Sequence, residues 1–391
     1  MRLRKQRGFA LITAIWVLVV LLILVGGFAA MSHSEAGIAR NYGDLGRARW
    51  AARAGLRDAE TQLIALASEP STALDDGLQT TITGPADQTT LDDATYSTVV
   101  QDEAGKININ TAPAETLAAF FQPDVVANIL AWRGASGGTT QGAETTAGAG
   151  DDYYTTLTPP YHCKNAPFGT VGELLLVKDV TRDLLTAEAT SDGLTLADIL
   201  TTVSVDDNTD ADGNPRLNIN TASQAELTQQ FTGVLTAANI TAIIRQRGRS
   251  QFQSVADLLS VQGITAAKLA QIYDRLTTST AKTLPGLVNV NTAPAEVLAA
   301  LPGMDDATAQ LIIQHRTTQG PFNNVGELLT VNGMNPTLFR SVANLFTVRS
   351  RQFRVVSTGK VGDGLPQTTS CLLRLETSSG SATTRVLYWQ E

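Results

Sequence analysis

The densest run of oxygen-bearing side chains in this 391-residue chain is Asp206-Asp207-Asn208-Thr209-Asp210-Ala211-Asp212-Gly213-Asn214. Asp206, Asn208, Asp210 and Asp212 alternate ahead of a Gly turn, as ligands do in the first half of a calcium loop. The closing Glu of such a loop is missing, since the twelfth position counted from Asn208 is Ile219. Two readings stand: a calcium site on those four residues, or a solvated hairpin turn. The chain has two cysteines, Cys163 and Cys371. Outside the cytoplasm they could pair as a disulfide, or remain two separately buried thiols. His33, His162 and His315 are scattered with no metal-ligand spacing. There is no nucleophile elbow, no His–carboxylate constellation and no phosphate loop, so the expectation is a non-enzymatic chain.

The element on which everything else hangs is the charge-free stretch from Gly8 to Met31. From Phe9 to Ala30 it is 22 residues, about 33 Å as a helix at ~1.5 Å per residue. That is enough to cross a hydrocarbon core of about 30 Å. Arg2, Arg4, Lys5 and Arg7 precede it with no acid among them. Basic flanks stay cytoplasmic, so the N-terminus is expected inside and everything after Met31 outside. A secretory signal peptide would have a shorter core and be removed; a plain anchor would be kept. Net charge is −8, and without the four basic leader residues 25 Lys+Arg face 37 Asp+Glu. That balance argues against nucleic acid or anionic lipid as partners of the exported part.

Beyond Met31, Ala48, Ala51, Ala52, Gly55, Leu56, Ala59, Leu63 and Leu66 recur at three- and four-residue spacing, which predicts one amphipathic helix through residue 67. Residues 68–90 are turn-rich, and 95–101 with 106–109 read as a hairpin. An internal repeat then dominates. Ile107-Asn108-Ile109-Asn110-Thr111-Ala112 recurs as Leu217-Asn218-Ile219-Asn220-Thr221-Ala222 and as Val288-Asn289-Val290-Asn291-Thr292-Ala293. Each copy is followed by a Phe-led element at Phe168, Phe252 or Phe322. The first copy carries an insertion over 134–165, Gly/Thr/Ala-rich from 137 to 150. Each unit reads as a short strand and two helical hairpins. After Phe346 the period becomes two, predicting strands at 347–358, 368–376 and 384–390. A sheet that closes so far from its helix implies that the helical units are inserted into an α+β domain.

Two resemblances follow from these residues. Lys5-Gln6-Arg7-Gly8-Phe9 and the apolar run resemble the leader junction of type IV pilins and type II secretion pseudopilins. This implies cleavage between Gly8 and Phe9 by the prepilin peptidase, N-methylation of Phe9, and a helix kept as anchor and assembly core. The fifth mature position, Glu in most relatives, is Thr13 here, which suits a subunit with no neighbour above it. The repeat resembles the helix-hairpin-helix units of competence DNA-binding proteins. None of its hairpins keeps the second Gly of that motif, and Asp305 and Asp306 sit where phosphate would lie, so no nucleic acid is expected.

The whole combination, with Tyr161-His-Cys-Lys-Asn-Ala-Pro-Phe168 leading into Gly172-Glu173-Leu174-Leu175 and the final strand Arg385-Val-Leu-Tyr-Trp389, resembles the minor pseudopilin K family of type II secretion. The family implies a non-enzymatic tip subunit in the cell inner membrane, single-pass, with a periplasmic C-terminal domain. Its implied partners are minor pseudopilins of the I and J types, the major pseudopilin, the prepilin peptidase and the inner-membrane assembly platform. The expected layout is a leader (1–8), a transmembrane and amphipathic pilin helix (9–67), and the first part of a pilin-like sheet (68–109). Repeats follow over 110–200, 201–280 and 281–345, then closing strands over 346–391. A minor subunit of a type IV pilus and an anchored DNA receptor for uptake are the alternatives.

Overall fold

The computed structural model describes residues 7–75, 77–85, 93–134, 148–378 and 381–390. Helix α1, Arg7–Leu66, is a single 60-residue element, about 90 Å long at ~1.5 Å per residue. Its first half is dominated by apolar residues from Leu11 to Met31, and residues 11–36 are all exposed. From Ala48 onward the expected stripe turns inward, burying Ala48, Ala51, Ala52, Leu56, Ala59 and Leu63. These residues meet a five-stranded antiparallel sheet, in spatial order β1 (Gln79–Pro85), β2 (Ala94–Asp102), β3 (Gln352–Val361), β4 (Gln367–Ser378) and β5 (Ser381–Gln390). The approach is close because Gly supplies it from both sides. A Cβ on Gly55 would lie 2.3 Å from Thr98 Oγ1, and one on Gly359 would lie 2.0 Å from the Ala48 carbonyl oxygen.

β2 and β3 are neighbours, with Val100 opposite Val355, although about 250 residues separate them in sequence. Everything between is the helical insert. Each of its three units opens and closes on a two-residue parallel ladder. Ile107–Asn108 pairs with Leu200–Thr201, Leu217–Asn218 with Leu276–Thr277, and Val288–Asn289 with Phe346–Thr347. Between the ladders lie paired short helices, such as Ala295–Ala299 with Asp306–Gln319. One continuous apolar core runs through all three units, and a separate one lies between α1 and the sheet.

Three expectations need correction. Residues 106–109 do not return along 95–101: a 3-10 turn at Glu103–Gly105 redirects the chain, and Ile107–Asn108 finds its partner in the same repeat. The segment read as turns contains β1, whose Thr80, Thr81, Ile82 and Thr83 pair with β2. The first closing strand starts at Gln352 rather than residue 347, because Phe346–Thr347 is consumed by the third unit's ladder. Within the insertion, 135–147 lies outside the described residues, but Tyr154 beside it is fully buried against Trp132.

Candidate functional site

Two features of the molecule are built to do something beyond folding: the bare half of α1 and the rigid head that the insert forms above the sheet. On α1, Thr13 lies within the exposed apolar stretch. Gly8 and Phe9 belong to the first turns of the helix backbone, their side chains and residues 1–6 lying outside the described set. Among the described residues this is one helix long and apolar enough to cross a membrane.

The head is held by a polar device used three times. The first Asn of each repeat (Asn108, Asn218, Asn289) accepts from the backbone N–H of the second, at 3.0, 2.9 and 3.0 Å. The second Asn then clamps the Phe that begins the next hairpin. Asn110 donates to Phe168 O at 3.1 Å and accepts from Phe168 N at 2.7 Å. Asn220 does the same to Phe252 at 2.9 and 2.9 Å, and Asn291 to Phe322 at 2.9 and 2.8 Å. A side-chain amide that exchanges both bonds with one residue mimics a strand neighbour, so it satisfies backbone that would otherwise be buried unpaired.

A third member of this device has no counterpart in the sequence reading. Arg133 donates to Ile109 O and Ala112 O at 2.5 and 2.9 Å, Arg247 to Ile219 O and Ala222 O at 3.0 and 2.6 Å, and Arg316 to Val290 O and Ala293 O at 2.8 and 2.9 Å. Burial lowers the Arg133 guanidinium and takes Arg316 down to about 10, still charged near neutrality. The signal was present: Leu130-Ala-Trp-Arg133, Ile244-Arg-Gln-Arg247 and Ile313-Gln-His-Arg316 share one spacing.

The hairpin tips are occupied from within. Thr181, Thr236, Thr265, Asp305 and Asn335 each cap the following helix by accepting from its early N–H groups. At each of these five tips at least one of the amides that could meet a phosphate is thus already bonded, and the Asp305 carboxyl is held below its usual range by its bonds from Thr308.

Head and sheet meet at a charged seam. Asp102, fully buried at the end of β2, accepts from Ala104 N (2.8 Å), Asn289 Nδ2 (2.9 Å), Thr292 Oγ1 (2.6 Å) and Ser350 Oγ (2.6 Å). Burial pushes its pKa up and these donors pull it back only in part. Glu103 next to it is also buried, yet its pKa is lowered, because Lys106 (2.9 Å) and Arg354 (3.1 Å) outweigh the burial. On the far side Arg349 and Arg216 share Asp274, while Arg351 and Arg374 share Asp207. Removing one partner from such buried sets leaves an uncompensated charge, which is strongly destabilising.

Residues of the calcium expectation take part in this seam. Asp206 accepts from Arg216 (3.2 Å), Thr347 (2.8 Å) and Asn208 N (2.7 Å), and Asp210 from Asn214 N (2.8 Å). Asn208 donates to Ala281 O at 2.8 Å, and Asp212 is exposed at the turn. The four do not converge, and among the described residues no group of three or more His, Cys, Asp or Glu is placed to hold a metal ion. Within the run, Asp206 and Asp207 are the counter-charges of Arg216, Arg351 and Arg374. The disulfide also fails. Cys163 and Cys371 are both free and buried, Cys163 in the head's core and Cys371 in the core between α1 and the sheet. There burial pushes the Cys371 thiol up to about 11.

Residues 121–188 match the family model of type II secretion system protein K, and residues 213–277 and 286–347 match that of the helix-hairpin-helix motif. Among curated proteins, the chain is similar to endonuclease/exonuclease/phosphatase family domain-containing protein 1. The identity is 29% over 164 residues in Homo sapiens and 28% over 166 residues in Bos taurus, in each case 35% of this chain. The chain spans only 29% of the length of those relatives. Among solved structures it is similar to one in the crystal structure of the GspK-GspI-GspJ complex from the enterotoxigenic Escherichia coli type 2 secretion system. That match has 13% identity and a TM-score of 0.48, over 90% of this chain and 98% of that one.

Proposed function

We propose, from the premise that this chain belongs with the type II secretion K proteins whose domain it carries at 121–188, that it is a minor pseudopilin at the tip of a pseudopilus. In this reading the prepilin peptidase cuts between Gly8 and Phe9, Phe9 is methylated, and α1 stays in the inner membrane with the head in the periplasm. Minor pseudopilins of the I and J types, the major pseudopilin and the assembly platform are the partners. The role is non-enzymatic: starting the filament and supporting protein export across the outer membrane.

The observation that carries the reading is the pairing of an exposed apolar half-helix with a head tied to the sheet through Asp207, which pairs with Arg374 and Arg351. The apolar half of α1 requires lipid or neighbouring helices around it. Thr13 removes the carboxylate that would seek a subunit above, since an unpaired carboxylate in lipid is costly. The head, too bulky to be covered and too firmly joined to swing aside, blocks stacking. Mass spectrometry of the mature N-terminus tests this, with N-methyl-Phe at residue 9 expected. A native chain starting near Met31, free in the periplasm, would overturn it. The helix-hairpin-helix matches favour a DNA receptor as the second reading; salt-sensitive gel shifts with the full chain would support it. The bonded hairpin amides weigh against it.

A further inference from the structure

The head holds three helical units, and two of them cover each other. In the second unit a 3-10 turn at Val255–Ser260 is followed by the helix Ala266–Ile272; in the third, Val325–Thr330 is followed by Pro336–Val342. The turn of each lies against the helix of the other. A Cβ on Gly326, the second residue of the third unit's turn, would lie 2.7 Å from Ala270 Cα. In return Arg340, which holds the place of Ala270 counted from the helix caps Asn335 and Thr265, pairs with Asp257 at 2.9 Å. Tyr273 and Phe339 meet edge to face at 5.8 Å, and the Tyr273 hydroxyl donates to Ala343 O at 3.2 Å. Two like faces thus close on one another, as copies do about a twofold axis. The first unit carries the same face, in the turn Val171–Leu176 and the helix Arg182–Thr186. Gly172 stands there at the place of Ala256 and Gly326, which are both buried. It is exposed, and a Cβ on it would meet only Thr170 Oγ1, at 3.9 Å. Thr186, at the place of Ala270 and Arg340, is also exposed. Leu175 is 42% exposed, whereas Leu259 and Leu329 at the same step are half-buried.

We propose that this face pairs with the same face of a second copy of the chain, turn to helix and helix to turn, as the second and third units pair within one copy. Three units make one pair and leave one face over; two copies make three pairs. The occupant follows from the face itself. Self-pairing needs a small residue on the turn opposite a short one on the helix, twice over, and Gly172 and Thr186 supply both. Gly172 serves by its missing side chain, since bare backbone lets the second copy's helix approach closely. The proposal concerns the head alone and goes beyond the tip reading, on which it does not depend.

The test uses the full chain in the native membrane, co-expressed in two versions with different affinity tags. A photo-reactive phenylalanine analogue replaces Leu175, and cross-linked peptides are mapped by mass spectrometry. The expected product carries both tags, with position 175 of one copy joined to the segment 171–187 of the other. Gly172→Ala, which reproduces what stands at Ala256 in the second unit, keeps that product. Gly172→Arg, for which a single copy has room, lowers it about tenfold or more without lowering the melting temperature by more than a few degrees. Thr186→Glu, which sets a carboxylate against Glu173 of the other copy, is a second disrupting variant with the same expectation. A probe joined to α1 of the second copy, to a different protein or to nothing overturns the proposal. So does a product that both disrupting variants leave undiminished.

Discussion

The second and third helical units carry the same opening, Leu-Asn-Ile-Asn-Thr in one and Val-Asn-Val-Asn-Thr in the other, and inside each unit the bonds match almost to the tenth of an ångström. What differs is where the first Asn points its amide nitrogen. Asn218 donates to the carbonyls of Thr278 and Ser279, at a half-buried loop of its own unit. Asn289 is fully buried and donates to Thr72 O, Asp102 Oδ2 and Ser350 Oγ, three groups of the helix-and-sheet body. One motif thus serves as a local latch in the second unit and as the bolt between head and body in the third. The second Asn builds the unit, and the first is free to be assigned a neighbour.

That contrast sets the largest expected effect. Asn289→Ala strips a donor from a buried carboxylate and leaves Thr72 O and the Asn291 N–H without partners, which should cost about 3 kcal/mol. Asn218→Ala, at a half-exposed site, should cost about 1 kcal/mol. Urea unfolding of the detergent-solubilised chain measures both, and equal losses would break the distinction. Next in size, Arg247→Ala removes two carbonyl partners inside the second unit and should cost about 2 kcal/mol. The fast hydrogen exchange it causes should be confined to residues 217–277, leaving the seam protected.

The seam should also divide by pH. Glu103 has a folded pKa below its ordinary 4.5, set by Lys106 and Arg354 against the opposing pull of burial. Its contribution is therefore present above that ordinary value and lost as pH falls below it. Asp102, raised by burial, has the opposite sign: its contribution is present below its ordinary value and fades as pH climbs through the raised one. Glu103→Gln should flatten the acid limb of the stability–pH curve below about pH 4.5, while any slope that Asp102 imposes at higher pH persists. A steeper acid limb in the variant would mean the charges are not paired as placed.

The α+β architecture, the insertion and the three units could be read from Phe9–Ala67, the Asn-x-Asn-Thr repeats and the period-two tail, because each rests on local periodicity. The misreading with the widest reach was long-range. Ile107–Asn108 pairs with Leu200–Thr201, ninety residues away, and no local pattern separates that from a hairpin with 95–101. The acidic run 206–214 looked like a ligand loop because its charges are visible in sequence, while Arg351 and Arg374, which pair with its Asp207, lie far downstream. Arg133, Arg247 and Arg316 stood at matching places in the repeat all along. An arginine at a helix end reads as a solvated charge until its carbonyl partners are seen.

The smallest effect concerns the one hairpin whose left-handed turn is held by a residue other than glycine. At four tips the chain takes a left-handed turn on glycine, at Gly233, Gly263, Gly303 and Gly333, with φ between 81° and 89°. In the first unit the same place is held by Asp179, at φ 65°. A non-glycine residue there pays a steric cost of roughly 1 kcal/mol, softened for Asp by its short polar side chain. Asp179→Gly relieves that strain but frees the unfolded chain, so a net gain of only about 0.5 kcal/mol is expected, under about 1 °C in a chain of this size. The reverse change in the second unit, Gly263→Ala, meets both the strained φ and the amide of Asn239, 2.5 Å from where its Cβ would be. It should destabilise by more than the first change gains. If Asp179→Gly instead lowers the melting temperature, the aspartate holds that tip by something other than its backbone, and the first unit is not a variant of the other two at this turn.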